Sequence, residues 1–211
     1  LVEYFRMSGD DEALKIARET YESVCERLRR PGTYKTAPYP TPPGMRAQRE
    51  AMQFSLVFCE LGRALGDERI LAEGLAFGMH VLDCFYRADR DVLLEYVGLD
   101  NTPRDTPAGR AMVPGHGIES LWFQIRNFTL AGDADRARRA AQAMRCCFER
   151  GWDPVYGGLF LGIDVDGREP RYWKFGEYKR WWPHTEALCG ALLAYEQLRE
   201  DWCLAWYWRT H

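Results

Sequence analysis

The residues best suited to chemistry in this chain stand at the start of one apolar helical segment. A Pro114-Gly115 turn places His116 at the beginning of that segment, and Glu119 follows one helical turn later. Imidazole has an unperturbed pKa of about 6.5, which suits it to moving protons near neutral pH. Because residues three apart share a helix face, Glu119 is expected to hydrogen bond His116 and fix its tautomer. The alternative is a polar helix start in which the helix dipole favours a glutamate.

A second chemically rich stretch, residues 181–187, has the sequence WWPHTEA. Proline fits the first turn of a helix, and tryptophans such as Trp182 offer a flat apolar wall of the kind a sugar ring stacks against. His184 and Glu186 are then candidates for binding sugar hydroxyls. The alternative is a capping turn whose tryptophans pack against neighbouring strands.

Composition narrows the class of protein. Hydrophobic residues make up 46% and aromatic residues 14% of the 211 residues, enough for a substantial core and an aromatic pocket. The net charge of −3 gives no reason to expect a nucleic-acid or membrane partner, and no apolar run approaches a membrane span. The seven cysteines lack metal-ligand spacing, so we expect no metal and a reducing, cytoplasmic location.

A Gly-Asp turn recurs along the chain and predicts repeated helical hairpins. It occurs at 9–10, 66–67 and 132–133, and a degenerate fourth copy lies at 199–201. Glycine ends one helix and aspartate caps the next. The segment before each turn is the more apolar, which predicts an inner helical layer, an outer amphipathic layer and a common orientation of the inner helices.

That orientation brings the candidate residues to one rim. The loops 34–44, 98–114 and 164–182 all lead into the N-termini of inner helices, which should gather His116 and His184 at the same end. Residues 158–163 and 171–175 have strand-like patterns and are predicted to form a β-hairpin at this rim, with a turn at 164–167. His80 falls within an outer helix and is predicted to be a packed histidine rather than a ligand.

These residues resemble the conserved stretches of the N-acylglucosamine 2-epimerase (renin-binding protein) family. Residues 114–123, PGHGIESLWF, are similar to that family's PGHxxExxWF stretch. Further similar segments are YGGLF at 156–160, DG at 166–167, KRWWPHTEA at 179–187, LEYV at 94–97 and GR at 109–110. The resemblance covers nearly the whole chain.

The resemblance implies an α/α toroid of six helical hairpins that epimerises or isomerises a small-molecule sugar without a cofactor. It implies that His116 is one acid/base residue and that Glu119 supports it. Trp122, Trp182, His184 and Glu186 would then line the sugar site. The second catalytic histidine of the family would lie beyond residue 211, and a homodimer is one assembly open to the full-length protein.

The sequence therefore predicts an all-α fold, a single incomplete α/α-barrel domain over 1–211 that is truncated at both ends. The expected activity is that of a sugar 2-epimerase or isomerase, with the fragment alone expected to lack half of the catalytic pair. One alternative is a non-catalytic carbohydrate-binding or protein-interaction module. Another is a glycoside hydrolase on a similar toroid, which would need two carboxylates facing each other across the pocket.

Overall fold

Helical hairpins make up most of the chain in the computed structural model, which describes residues 1–36 and 39–211. The predicted loop 34–44 includes residues 37–38, which lie outside the described residues. The α-helices of the described chain are α1 (Val2–Ser8), α2 (Asp11–Leu28), α3 (Gln48–Leu65), α4 (Glu68–His80), α5 (Pro114–Leu130), α6 (Ala134–Gly151), α7 (Trp181–Leu198) and α8 (Asp201–Thr210). A π-helical turn, Val81–Phe85, continues α4.

Short strands connect the loops between the hairpins as antiparallel pairs. They are β1 (Met45–Ala47), β2 (Tyr86–Arg87), β3 (Val92–Leu93), β4 (Tyr96–Gly98), β5 (Ala111–Met112) and β6 (Ile163–Asp164). Strand β1 pairs with β4, β2 with β3, and β5 with β6. Two of these pairs place the residues before α3 and α5 beside other rim loops, so they fix where those helices begin.

The Gly-Asp turns are confirmed as helix-to-helix connections. Gly9, Gly66 and Gly132 have φ values of 70°, 64° and 76°, in the left-handed region that glycine adopts without strain. The aspartate after each one accepts a hydrogen bond from the first turn of the following helix. At the degenerate fourth turn, Arg199 takes the left-handed conformation instead, with φ 57°.

The two helical layers are also confirmed. Helices α3, α5 and α7 pack side by side in sequence order, and each packs against the outer helix that follows it, α4, α6 or α8. Helix α5 is the most enclosed, because it contacts α3 and α7 on its two sides and α6 behind it. Helix α7 buries only one face, so the interpretation of it as a buried helix holds for that face alone. Trp181 is 78% exposed on the other.

The predicted β-hairpin between 158–163 and 171–175 is wrong. Residues 171–175 form bends and turns, and β6 at the end of the first run pairs with β5, which precedes α5. The predicted turn after β6 does form, since Gly167 donates its N–H to the Asp164 carbonyl. The buried Arg110 side chain donates to Asp164 at 2.8 Å, which supplies the charge pairing that favours the β5–β6 arrangement. The short β-hairpin of this fold is β2–β3, made by residues 86–93.

The N-termini of the inner helices meet at one rim, as predicted. The Gln48 N–H at the start of α3 donates to the Glu95 carbonyl, and the Glu95 N–H donates to the Ala111 carbonyl just before α5. Gly115 in α5 lies against Trp182 at the start of α7. In the described part of the chain, no helix combines the length and apolarity that crossing a membrane requires.

Candidate active site

Two glycines let the histidine-bearing turn of α5 pack tightly. A Cβ on Gly115 would lie 2.6 Å from the Trp182 ring, and a Cβ on Gly117 would lie 2.6 Å from the Cys147 sulfur. Both distances are shorter than real Cβ contacts, so each position needs a residue without a side chain. The glycines on either side of His116 therefore set how closely α7 and α6 approach it.

The imidazole of His116 is held by Glu95, a residue for which sequence reasoning proposed no role. Nδ1 of His116 lies 3.2 Å and 3.1 Å from the two carboxylate oxygens of Glu95. The carboxylate is the acceptor, so in the neutral form of the ring Nδ1 carries the proton and Nε2 keeps its lone pair. The expectation that Glu119 makes this hydrogen bond is corrected: Glu119 lies one turn along α5, and Glu95 approaches from a different element.

Glu95 is a buried charge in a fixed position. Its side chain is 1% exposed, compared with 23% for His116. Its backbone N–H and carbonyl are both bonded, to Ala111 and Gln48 respectively. A buried carboxylate needs a compensating donor or cation, and the His116 imidazole provides the donor. The same arrangement, a buried carboxylate on the Nδ1 side of a histidine, fixes the tautomer of acid/base histidines in general.

Opposing effects set the pKa of His116. Burial by itself lowers the pKa, while the charge and hydrogen bond of Glu95, with a smaller contribution from Glu119, raise it, and Arg49 lowers it slightly. The net effect is a pKa above the usual value for histidine. Glu95 therefore stabilises the imidazolium form of His116.

Trp182 forms one wall beside the imidazole. The two rings are stacked, with centroids 5.3 Å apart and an interplanar angle of 30°. The adjacent Pro183 is buried in the first turn of α7, which anchors the tryptophan relative to α5. Stacking restricts the rotation of the histidine ring, so the hydrogen bond to Glu95 and the indole together fix its plane.

Three further candidate residues lie together along α5 and α7. Nε1 of Trp122 donates to Oε2 of Glu186 at 2.6 Å. Glu119, one turn before Trp122, has its pKa raised to about 7, by burial first and then by the charges of Glu186 and Glu95, against the opposing effect of His116. Glu119 can thus exchange a proton near neutral pH, and Glu186 stays bound to the tryptophan.

His184 is placed at the same rim, but its ring nitrogens have different partners from those expected. Its Nδ1 lies 2.7 Å from the Arg180 carbonyl, and its Nε2 accepts the Leu159 N–H at 2.9 Å. Both ring nitrogens are therefore bonded to backbone, which corrects the expectation that they bind sugar hydroxyls. A Cβ on Gly158 would come within 2.9 Å of Nε2, so the glycines of the YGGLF segment make room for this contact.

His80 is a packed histidine, as predicted. It lies edge-on to Phe85 at a centroid distance of 5.4 Å, near the end of α4. Burial lowers its pKa, with a smaller effect from Arg46.

The sequence carried one usable signal for Glu95. A lone glutamate within the apolar run 92–97 must be buried with a partner if that run is a strand. Arg49, whose Nη1 lies 3.8 Å from Oε1 of Glu95, had no comparable signal. It is one of several arginines in the chain, and only the fold brings the start of α3 next to Glu95.

Layered helical hairpins with a carboxylate-bound histidine at the rim of the inner layer define an α/α-toroid protein. Comparison with known sequences makes the assignment specific. The model of the N-acylglucosamine 2-epimerase family matches residues 5–211, and the chain belongs to that family.

Curated relatives share the family name. The chain is 30% identical over 201 residues to N-acylglucosamine 2-epimerase of Bos taurus, covering 92% of this chain and 47% of the relative. It is 35% identical over 108 residues to the Homo sapiens protein of the same name, covering 51% of this chain and 25% of that protein. The chain thus spans about half the length of the bovine relative. Its match to the human relative covers 25% of that protein.

Solved structures of sugar epimerases and isomerases have the same fold. Cellobiose 2-epimerase from Bacillus thermoamylovorans superposes with a TM-score of 0.79 at 15% identity, over 99% of this chain and 55% of that chain. A D-mannose isomerase gives a TM-score of 0.69 at 16% identity, over 94% and 55% of the two chains. These similarities confirm the α/α-toroid architecture.

Proposed function

We propose that this chain carries half of the proton-transfer site of a sugar 2-epimerase or aldose–ketose isomerase. The observation that supports this most directly is the Glu95–His116 pair, in which Nδ1 of His116 is bound to a buried carboxylate. No hydrogen bond to Nε2 occurs among the described residues, and the proposal assigns that nitrogen to the substrate.

The proposed chemistry is proton abstraction next to a sugar carbonyl. Nε2 of His116 removes the proton from the carbon beside the carbonyl, and the electron pair of that bond moves to give an enolate, which is an enediolate where C2 carries a hydroxyl group. The imidazolium that forms is stabilised by Glu95. Glu119, with a pKa of about 7, can share a proton with the developing enediolate oxygen. Return of a proton to the opposite face gives the epimer, and return to the neighbouring carbon gives the ketose.

The acid that returns a proton to the opposite face of the sugar is proposed to lie in the part of the family fold that this chain does not span. The relatives' names indicate the substrate class to test: N-acylglucosamine, cellobiose and mannose are all aldoses, or contain one at the reducing end. Trp182 is proposed as the stacking wall of the sugar site, and Glu186, held by Trp122, as a hydroxyl acceptor. His184 contributes by fixing the loop at 158–160.

The test is proton exchange at the sugar C2 position in D₂O, read by proton NMR for a panel of aldoses. A single base suffices for exchange, because it can remove a proton and return deuterium to the same face. His116→Gln should reduce exchange by at least about 100-fold. His80→Gln, which changes a histidine outside the site, should leave the rate within about twofold.

Two further assays, run beside the exchange measurement, separate the alternative functions. Saturation-transfer NMR that detects sugar binding in wild type, together with no exchange, would favour a non-catalytic carbohydrate-binding module. Release of a reducing sugar from a disaccharide would favour a glycoside hydrolase that uses Glu119 and Glu186. Exchange that is unaffected by His116→Gln would contradict the proposal.

A further inference from the structure

Arg49, in the first turn of α3, contacts the carboxylate that holds His116. Its side chain is 13% exposed, and Nη1 lies 3.8 Å from Oε1 of Glu95. The same nitrogen donates to the Tyr96 hydroxyl at 3.2 Å. Glu95 therefore lies between two partners, the imidazole of His116 and the guanidinium of Arg49.

The other half of the guanidinium is occupied by the loop that precedes β1. Nη2 of Arg49 donates to the Tyr39 carbonyl at 2.6 Å, to Oγ1 of Thr36 at 3.2 Å and to Oγ1 of Thr41 at 3.3 Å. A guanidinium is a planar fork with a fixed spread of donors, so ligands on one side hold the other side in place. These loop contacts therefore set how near Nη1 lies to Glu95.

The same loop is anchored at two further points. Glu50, the residue after Arg49, accepts hydrogen bonds from the Tyr34 hydroxyl at 2.7 Å and from Oγ1 of Thr41 at 3.1 Å. The Tyr39 ring packs edge-on against Trp173, in the segment leading to α7, with centroids 5.7 Å apart. The position of Arg49 thus depends on rim segments that lie before α3 and before α7.

We infer that Arg49 is a positioning residue that acts through Glu95: it competes with His116 for that carboxylate and so weakens the hold of Glu95 on the imidazolium. The inference deepens the proposed function, because it concerns the same histidine and rests on that assignment for its catalytic meaning. The charged groups that act on His116 are Glu95 from the β3–β4 segment, Glu119 on its own helix and Arg49 from α3, while Glu186 from α7 acts on Glu119. Arg49 is the cation of this set.

Competition between Arg49 and His116 for Glu95 should change the pKa of His116 in one direction. A cation near the imidazole disfavours protonation directly, and by sharing Glu95 it also reduces the stabilisation of the imidazolium. Removing the charge of Arg49 should therefore raise the pKa of His116. Because Nη1 of Arg49 lies 3.8 Å from the carboxylate that also holds His116, we expect the midpoint of the His116 titration to rise in Arg49→Gln by more than the spread between repeated titrations.

The test is an NMR titration of the His116 ring in the ligand-free 211-residue chain, with the resonance assigned by its loss in His116→Gln. Arg49→Gln removes the charge but keeps an amide donor, and it should show the raised pKa. Arg49→Lys keeps the charge but lacks the planar fork, so its midpoint should lie between those of wild type and Arg49→Gln. Arg145→Gln on α6, where Arg145 pairs with Glu149, is the matched control and should have no effect. An unchanged titration in Arg49→Gln would overturn the inference.

A measurement on the wild-type protein keeps the inference testable if Arg49→Gln does not fold. The guanidinium nitrogen signals of Arg49 should titrate with the same midpoint as the His116 ring, because protonation of His116 changes how Glu95 is shared. Absence of this shared midpoint would overturn the inference. These titrations need no substrate, so lack of sugar exchange would contradict the proposed function while leaving the role of Arg49 intact. Sugar exchange by the wild type, combined with an unchanged His116 titration in Arg49→Gln, would support the proposed function and contradict the role of Arg49.

Discussion

His116 and His184 occupy equivalent places in the fold but have different hydrogen-bond partners. Each lies in the first turn of an inner helix, α5 or α7, at the same rim. His116 is bound at Nδ1 by a buried carboxylate, and its Nε2 has no hydrogen bond within the part of the chain that the structure describes. His184 has a backbone carbonyl at Nδ1 and a backbone N–H at Nε2.

The difference shows that the partners of a histidine, and not its position at a helix start, decide what it can do. A carboxylate partner stabilises the imidazolium, so His116 can take up a proton and keep its orientation. A donor and an acceptor from the backbone match one neutral tautomer, so protonation of Nε2 would break the contact with Leu159. This contrast is the reason that proton transfer is proposed for His116 and anchoring of a loop for His184.

Among changes to the partners of the two histidines, removing the carboxylate should have the largest effect. Glu95→Gln leaves a hydrogen-bond acceptor for Nδ1 but removes the negative charge, so burial dominates and the pKa of His116 should fall below its usual value. The rate of C2 proton exchange should drop by about 10- to 100-fold near neutral pH. NMR titration and the deuterium-exchange assay measure the two changes on the same sample.

Replacing a carboxylate far from His116 tests whether the loss of any negative charge would change the His116 pKa and the exchange rate. Glu73→Gln on α4, where Glu73 accepts the Tyr21 hydroxyl away from His116, should leave both measurements unchanged. An unaltered His116 pKa in Glu95→Gln would mean that the carboxylate does not govern the imidazole.

Removing the side chain of His184 should affect the stability of the fold more than catalysis. His184→Ala leaves the buried Leu159 N–H without its acceptor, which should reduce the free energy of unfolding by about 1–3 kcal/mol. Urea denaturation at neutral pH measures the loss. His184→Gln, which can still accept a hydrogen bond, should recover part of it, and equal stability of wild type and His184→Ala would contradict the structural role.

Glu119 should give a smaller, pH-dependent effect on stability. Its pKa is raised from about 4.5 to about 7 by folding, so the folded state keeps a proton that the unfolded chain has already released. The stability from this group is complete below pH 4.5 and is lost as the pH rises to 7. Glu119→Gln should therefore raise the Tm by about 2–6 °C at pH 8 and change it little at pH 4.5.

Thermal unfolding of wild type and Glu119→Gln across this pH range checks the sign. A Tm difference that is the same at both ends of the range would show that burial and Glu186 do not perturb Glu119. Glu149→Gln on the exposed surface of α6 is the control and should show no pH-dependent difference of this kind.

The helical framework was accessible from the sequence because local signals fix it. The Gly-Asp turns use the left-handed conformation of glycine and the capping of aspartate, both of which depend on a few adjacent residues. The alternation of more and less apolar helices then gave the two layers. The strand partners were not accessible, because β6 joins β5 through Arg110 and Asp164, which lie 54 residues apart.

The site was predictable where a single segment carried it and not where several segments meet. His116 and Trp182 were identified from their own stretches, and their stacking follows from Gly115. The hydrogen-bond partner of His116 was misassigned to Glu119, because helix spacing was the local rule at hand. Glu95 reaches His116 only through the pairing of β1 with β4 and the start of α3, which no local pattern encodes.

The most direct test of the account compares C2 proton exchange in His116→Gln and His184→Gln under conditions where both variants are folded, as judged by circular dichroism. The two changes replace the same side chain at equivalent places in neighbouring inner helices. The account predicts a loss of at least about 100-fold for His116→Gln and less than about threefold for His184→Gln. Equal losses, or a larger loss in His184→Gln, would contradict it.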